Sequence, residues 1–533
     1  MSAQTNSDEH EGQFNLDGIL GELGSFGKYQ LLLLLLLAFR DSFLNMCNFN
    51  YVFTAAEVPF RCRVPECESS VISFNTSWSS YAIPDGSCRR PVLHDTFNST
   101  CDSSTFNRNM STYCDDIIYE DYNSIVAEFD LGCQPWKRTL IGTVHNLGLV
   151  FSYIFSGFIS DRYGRKVVIV GTPLMVGVAG LLKSVVIDYW SLLVLEFLET
   201  ALGYGNASMI FSFAFSCIAD ILSNLGGAFF GLIAWKIPYW RHMMRAIYAP
   251  LLIVVFYIFL IDEGVRWLYA HDRKDEAVRV LNKVAKINNI TLSNKAKDML
   301  SKITEERNKT EAVEQPKPIE THSILSVLRS RTILIRMATI SACFICCMFV
   351  YSGTIINSIN ISGNKYLNFS AILLVSVPTR IITALTLTRF GRKAPICVAY
   401  CLCACFFMAS AFVPKSIWWA SLLFYLAGKM CSSYGIFSLF VVSMEVFPTT
   451  SRNSLTNIAN TAGRLGSVLA PQTPLLEQYM SGLPSIVFAL VALGPAFLAL
   501  SLPDASRSPL PDRLSDAEKL DAQPSTATNV TTA

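Results

Sequence analysis

Three cations stand inside otherwise apolar stretches of the second half of the chain: Arg380, Lys429 and Arg464. A charge at the bilayer centre costs about 2.5–3.5 kcal/mol on insertion scales. All three must therefore face an aqueous cavity or paired acids. The second half offers no mid-stretch carboxylate, since Glu445 and Glu477 stand near the ends of their stretches. Unmatched positive charge invites an anion, and the fork of an arginine suits a carboxylate or sulfonate. Arg464 is the expected main contact. Gly463 and Gly466 leave room beside it, and Pro471 and Pro474 break the segment beyond it. The first half holds acids in or near apolar stretches: Asp41, Glu196, Glu199 and Asp220. The competing expectation is that these pair with the three cations across a cavity or bind a cationic ligand, with Arg40 neutralising Asp41. His145 is expected to be a hydrogen-bonded packing residue.

A second group of residues forms a short repeat. Gly157 begins a run through Asp161, Arg162, Gly164, Arg165 and Lys166. Its counterpart holds Thr388, Arg389, Gly391, Arg392 and Lys393. Glycine permits a tight turn between two packed helices. Asp161 is placed to sit near a helix N-terminus, where the dipole favours an anion. The arginines can bond carboxylates and carbonyls that close one face. The second copy lacks the acid, with Thr388 in its place.

A third group lies in 52–136. Six cysteines (Cys62, Cys67, Cys88, Cys101, Cys114 and Cys133) stand among Asn-x-Ser/Thr sequons at Asn75, Asn98 and Asn109. An even cysteine count beside glycan acceptors points to an oxidising, extracellular side and three disulfides, with fifteen possible connectivities. Zinc fits the irregular spacing poorly, and no metal or cofactor is expected. The clustered Cys343, Cys346 and Cys347, and Cys401, Cys403 and Cys405, are expected to be packing residues. No Walker-type phosphate loop, His-Glu-x-x-His or Gly-x-Ser-x-Gly occurs, so neither an ATP-driven pump nor a hydrolase of those kinds is expected.

The elements that hold these residues follow from composition. The 533 residues are 51% apolar and only 16% charged, against about 25% charged in soluble domains. A net charge of +2 gives no reason to invoke nucleic acid. Long apolar runs rather than ten-residue alternation imply an all-α protein in a lipid bilayer. Twelve spans are expected, near 29–51, 138–158, 167–187, 190–211, 214–236, 244–262, 333–353, 369–389, 395–413, 417–440, 455–475 and 481–502. The fifth is the weakest, because no polar loop separates it from the fourth. Residues 1–28 are acidic and precede a retained first span. Residues 263–332 form a long loop, helical around Ala277 to Ile287. Residues 503–533 read as a disordered tail. Acids outnumber bases by 12 to 5 in 52–136, whereas the short loops after spans two and eight are basic. The positive-inside rule then puts both termini and the middle loop in the cytoplasm. The domains expected are a six-helix half over 29–262 and a second over 333–502.

The repeat lies six spans apart, as in the major facilitator arrangement. Further segments resemble the organic cation, organic anion and carnitine transporter family of that superfamily: Asn48 to Cys62, Glu128 to Cys133, Trp240-Arg241-His242, Arg266-Trp267-Leu268, and Glu445 to Asn453 with Pro448 and Arg452. The likeness covers roughly residues 18–505. It implies a secondary carrier working by alternating access, in which the Glu445 to Arg452 block and the repeat close the inner gate. It also implies that Arg464, Lys429 and Arg380 match basic positions of the anion carriers, and that Tyr351 falls where the family lines its pocket with aromatics. The chain departs from the pattern in three places. Asp262-Glu263-Gly264 replaces a usual Pro-Glu-Ser, Glu196 replaces a usual Arg, and a Glu-x-x-Gly-x-x-x-Arg block is missing near Ser216. The expected function is transport of small organic anions across the plasma membrane, with a coupling ion or counter-anion as partner. A carnitine-like zwitterion or cation carrier, or a non-transporting membrane protein, are the alternatives.

Overall fold

The computed structural model describes Gly18 and residues 21–23, 27–68, 73–76, 78–79, 88–94, 101–102, 105–204, 213–291, 293, 330–389, 391–448 and 451–503. The polyleucine run opens α1, Lys28–Asn48, which is extended by Asn50–Thr54. After the cysteine-rich loop come α2 (Pro135–Tyr163), α3 (Arg165–Lys183), α4 (Tyr189–Gly203), α5 (Phe213–Lys236) and α6 (Trp240–Tyr248). α6 continues as the 3-10 segment Ala249–Phe256 and the short helix Tyr257–Leu260. Asp188 starts α4 by accepting the Ser191 amide at 2.9 Å, which holds its carboxyl below the usual range. The second half comprises α7 (Arg331–Ile356), α8 in two pieces (Lys365–Leu374 and Ser376–Arg389), α9 (Lys393–Phe412), α10 (Trp418–Val446), α11 (Arg452–Leu469) and α12 (Leu483–Leu500).

Among the described residues, ten helices are long and apolar enough to cross a membrane. The expected spans four and eleven are helical but fall short of that measure, for different reasons. α4 has 15 residues, about 22 Å of helix against a bilayer core of about 30 Å. α11 carries Arg452, Asn453, Asn457, Asn460 and Arg464, and its α-helix gives way at Leu469 to a 3-10 segment, Ala470–Gln478, where Pro471 and Pro474 stand. The expected break by those prolines is therefore present.

The middle loop contains the amphipathic helix Lys274–Asn288, close to the expected stretch. It packs Leu281, Val284 and Ala285 against Leu23 and Tyr29. Expectations for residues 1–17 and 504–533 fall outside the described residues.

The loop between α1 and α2 folds as two antiparallel ribbons. β1 (Phe60–Cys62) pairs with β4 (Ile117–Tyr119), and β2 (Arg89–Leu93) pairs with β3 (Phe106–Tyr113). One connectivity is realised: Cys62–Cys114, Cys67–Cys101 and Cys88–Cys133. These staples suit a segment whose own buried apolar cluster, among the described residues, is small: Cys62, Val64, Trp78 and Phe106. Asn75 and Asn109 are exposed, and Asn98 lies outside the described residues. In secreting cells, glycosidase treatment is expected to increase gel mobility, and replacing Asn75, Asn98 and Asn109 together is expected to abolish the shift. Identical mobility of treated, untreated and triple-mutant protein would place the loop on the non-glycosylating side.

The two halves meet at the end of the bundle that carries this loop. Thr139 of α2 donates to Gln472 at 3.0 Å, and Gln472 donates to Thr143 at 2.6 Å. Phe53 stacks on Tyr366 of α8 at 5.4 Å, and Ser370 donates to the Ala228 carbonyl at 2.8 Å.

Candidate functional site

Four helices of the second half bring the expected residues around Tyr351 of α7. Lys429 of α10 is fully buried. Its Nζ donates to the Tyr351 carbonyl at 2.9 Å and lies 3.3 Å from the Tyr351 ring centroid. Arg380 of α8 and Arg464 of α11 both lie within electrostatic reach of the Tyr351 phenol. The cation-over-ring geometry partly replaces the water that each charge has lost.

The three cations have different partners. Arg380 lies 3.2 Å over the Phe437 ring and pairs with Asp220 of α5 at 2.9 Å, a bridge between the halves. This fulfils the competing expectation at that one position and leaves Arg380 locally neutralised. Arg464 instead donates to the Tyr153 hydroxyl of α2 at 2.5 Å, with its guanidinium 4.5 Å from that ring. Its Nε is buried without a hydrogen-bond partner among the described residues. No carboxylate lies within 4 Å of Arg464 or Lys429 among the described residues. Glu196 and Glu199 do not reach across to the second half. Both pair with Lys183 inside the first half, and Asp41 pairs with Arg40 at 2.7 Å. The expected cross-cavity role of these three acids is thereby corrected: each has a nearer cation in its own half.

Both copies of the repeat turn at their glycine, and they differ in the acid that partners them. At the end of the bundle remote from the disulfide loop, Gly391 takes φ 76°, and Arg392 binds Glu445 through Nε at 3.0 and 2.9 Å and through Nη2 at 2.9 Å. It also donates to the Leu387 carbonyl. Among the described residues Arg452 donates to the Phe447 carbonyl, at 3.5 Å, and Arg389 is exposed. In the first copy Gly164 makes the turn with φ 102°. Asp161 does not hold the helix N-terminus as expected. It is exposed in the last turn of α2, and its backbone carbonyl accepts from Trp267 at 3.0 Å. Glu263 takes that place, accepting the Arg165 amide at 2.9 Å and the Lys166 amide at 3.1 Å. The reason is direction: Asp161 ends the preceding helix, whereas Glu263 approaches the free amides of α3 head-on. Arg162 lies 5.7 Å from the Tyr163 ring. Ser216, near which the block is missing, lies in the first turns of α5, and the preceding residues 205–212 fall outside the described residues.

Residues 218–504 match the family described as "Sugar (and other) transporter", more than half of the chain. The chain belongs to that family of major facilitator transporters. Relatives along its whole length are "Organic cation transporter protein" of Drosophila melanogaster, 26% identical over 529 residues and covering 95% of each chain. Bos taurus "Solute carrier family 22 member 1" is 28% identical over 547 residues, covering 95% of this chain and 93% of the relative. Rattus norvegicus "Organic cation/carnitine transporter 2" is 26% identical, covering 93% of each. The inward open conformation of the E. coli xylose transporter XylE aligns with TM-score 0.57 at 12% identity, covering 92% of this chain and 99% of that one, which is a likeness of fold. The chain is thus a multi-pass membrane transporter, similar along its length to organic cation and carnitine transporters, and not an enzyme.

Sequence reasoning missed three side chains of this transporter's site and frame. Lys183 stands inside the expected third span, so the rule that singled out Lys429 applied to it equally. Tyr153 and Gln472 carry no charge, and nothing in their neighbourhood marks them as partners of Arg464 and Thr139.

Proposed function

We propose that the transporter carries small organic anions by alternating access, with Arg464 as the principal contact. The supporting observation is the charge balance around Tyr351. Arg464 keeps a positive charge there that no described carboxylate offsets, while Asp220 offsets only Arg380. An anion entering between α2 and α11 displaces Tyr153 from the Arg464 fork and neutralises a charge held away from bulk water. Lys429 and Arg380 line the same site as polar contacts, and Tyr351 supplies the aromatic wall. Asp161, Arg162, Gly164, Arg165 and Lys166 in one half, and Arg389, Gly391, Arg392, Glu445 and Arg452 in the other, are the gating elements on the cytoplasmic side.

A zwitterion is the second reading. It is favoured by Asp220, whose side chain is 45% exposed beside Arg380, and by the cation/carnitine transporter among the relatives. Cells expressing the chain are expected to accumulate a labelled aromatic carboxylate above control cells and to ignore a quaternary ammonium. The reverse selectivity would assign cations, and accumulation only of a betaine would assign zwitterions.

The short α4 bears on rate. Its counterpart α10 has 29 residues and ends at the Arg392–Glu445 pair. Restoring a Glu-x-x-Gly-x-x-x-Arg turn near Ser216 is expected to raise uptake several-fold at equal surface level, because both halves then carry a latch. Unchanged uptake per surface molecule would show that the block is dispensable.

A further inference from the structure

A polar cluster outside the Tyr351 site is buried among α1, α2, α3, α4 and α6. Lys183 Nζ lies 2.6 Å from Glu196 Oε2 and also pairs with Glu199. Tyr248 donates to Glu199 Oε1 at 2.9 Å and accepts from Asn50 at 2.6 Å. His145 Nδ1 is 2.6 Å from Glu196 Oε1, and its Nε2 is 3.2 Å from Asn48 Oδ1. Lys183, Glu196, Glu199, His145 and Tyr248 are each at most 1% exposed. The titratable groups facing the centre are Cys47 and Tyr51 from α1 and its extension, His145 from α2, and Lys183 from α3. The others are Glu196 and Glu199 from α4, Tyr204 at its end, and Tyr248 from α6.

A charge count finds this cluster one proton short. One lysine, two carboxylates and a neutral imidazole leave one net negative charge among side chains at most 1% exposed, which is costly unless neutralised. One added proton settles the count, held on His145 as imidazolium or on the carboxyl of Glu196 or Glu199.

We infer that the Lys183–Glu196–Glu199–His145 cluster is a binding site for one exchangeable hydrogen ion. Its access is built into the junction of the halves. The Tyr51 ring lies 5.0 Å from the His145 ring. Tyr51 also lines a cleft with Glu57, Arg138 and Gly142 of the first half and Pro471 of the second. Tyr51 and Pro471 both crowd the bare Gly142 backbone, where an added Cβ would come within 2.8 and 2.9 Å of them. Movement of α11 against α2 therefore disturbs the residue that covers the imidazole. The inference does not depend on which organic ion is carried.

The test reads the proton itself. Infrared difference spectra of the purified full chain in detergent are recorded between acid and alkaline buffer. The wild type, Glu196→Gln, Glu199→Gln, His145→Gln and the exposed control Glu57→Gln are compared. A titrating band that is lost in Glu196→Gln or Glu199→Gln, shifted along the pH axis in His145→Gln and retained in Glu57→Gln is expected. Thermal unfolding confirms that each variant is folded, and if one of the cluster variants is not, the others carry the comparison. Superimposable wild-type and folded cluster-variant spectra would overturn the site. A titrating band in protein that transports no organic anion would leave the proton site standing and remove the anion reading.

Discussion

Replacing Arg464 with alanine is expected to weaken apparent affinity for a transported organic anion by about ten- to a hundredfold at unchanged surface level. A hydrogen bond to a charged group contributes about 1.5–3 kcal/mol, and each 1.4 kcal/mol is about tenfold in affinity. The residue tolerates this change structurally because its described partner is a neutral phenol, Tyr153, rather than a carboxylate that would be left unpaired. Arg464→Lys keeps the charge but loses the fork, so partial activity is expected. Arg464→Asp is expected to abolish anion uptake. Uptake kinetics normalised to surface protein decide the matter. Wild-type affinity of Arg464→Ala for every transported anion would exclude direct contact, and loss of surface protein at normal affinity would make Arg464 a structural residue.

Lys183→Met is expected to have the largest effect on folding. Breaking a buried ion pair by removing one partner costs about 3–5 kcal/mol, because the abandoned charge has no solvent. Here a single ammonium serves two carboxylates, Glu196 and Glu199, both within the bundle. Thermal unfolding in detergent and surface expression should both fall sharply. Adding Glu196→Gln and Glu199→Gln to Lys183→Met removes the stranded charges and is expected to recover most of the folded protein. A single Lys183→Met variant as stable as wild type would show that the cluster has an unseen neutralising group. Failure of the triple variant to recover would point to lost packing of the long lysine stem rather than to charge.

Much of this protein was legible from one-dimensional rules. Ten of the twelve expected apolar stretches, a basic repeat and an even set of cysteines among sequons each follow from local physics. Lipid forbids unsatisfied backbone, so span length is read from hydropathy, except in α4 and α11, which are helical but too short or too polar for that measure. Glycine at a tight turn is read from its freedom of φ, as Gly164 and Gly391 bear out. The Pro471 and Pro474 break and the amphipathic helix around Ala277 to Ile287 belong to the same class.

Pairing was decided only in three dimensions. The sequence placed Asp41, Glu196, Glu199 and Asp220 in the first half and three cations in the second, and charge alone let any acid answer any cation. Coulomb attraction in a low-dielectric interior falls with distance and not with sequence separation. The tertiary structure therefore sent Glu196 and Glu199 to Lys183, Asp41 to Arg40 and only Asp220 across to Arg380. Glu263 displaced Asp161 at the α3 terminus for the same kind of reason, since the direction of approach to free amides is set by packing. The disulfide connectivity, one of fifteen, likewise required the ribbons that bring the cysteine Cα atoms to 5.3–5.7 Å. Composition and periodicity determine which segments enter the membrane and which residue types they carry, and neighbour geometry alone determines which charges are cancelled and which stay available to a ligand.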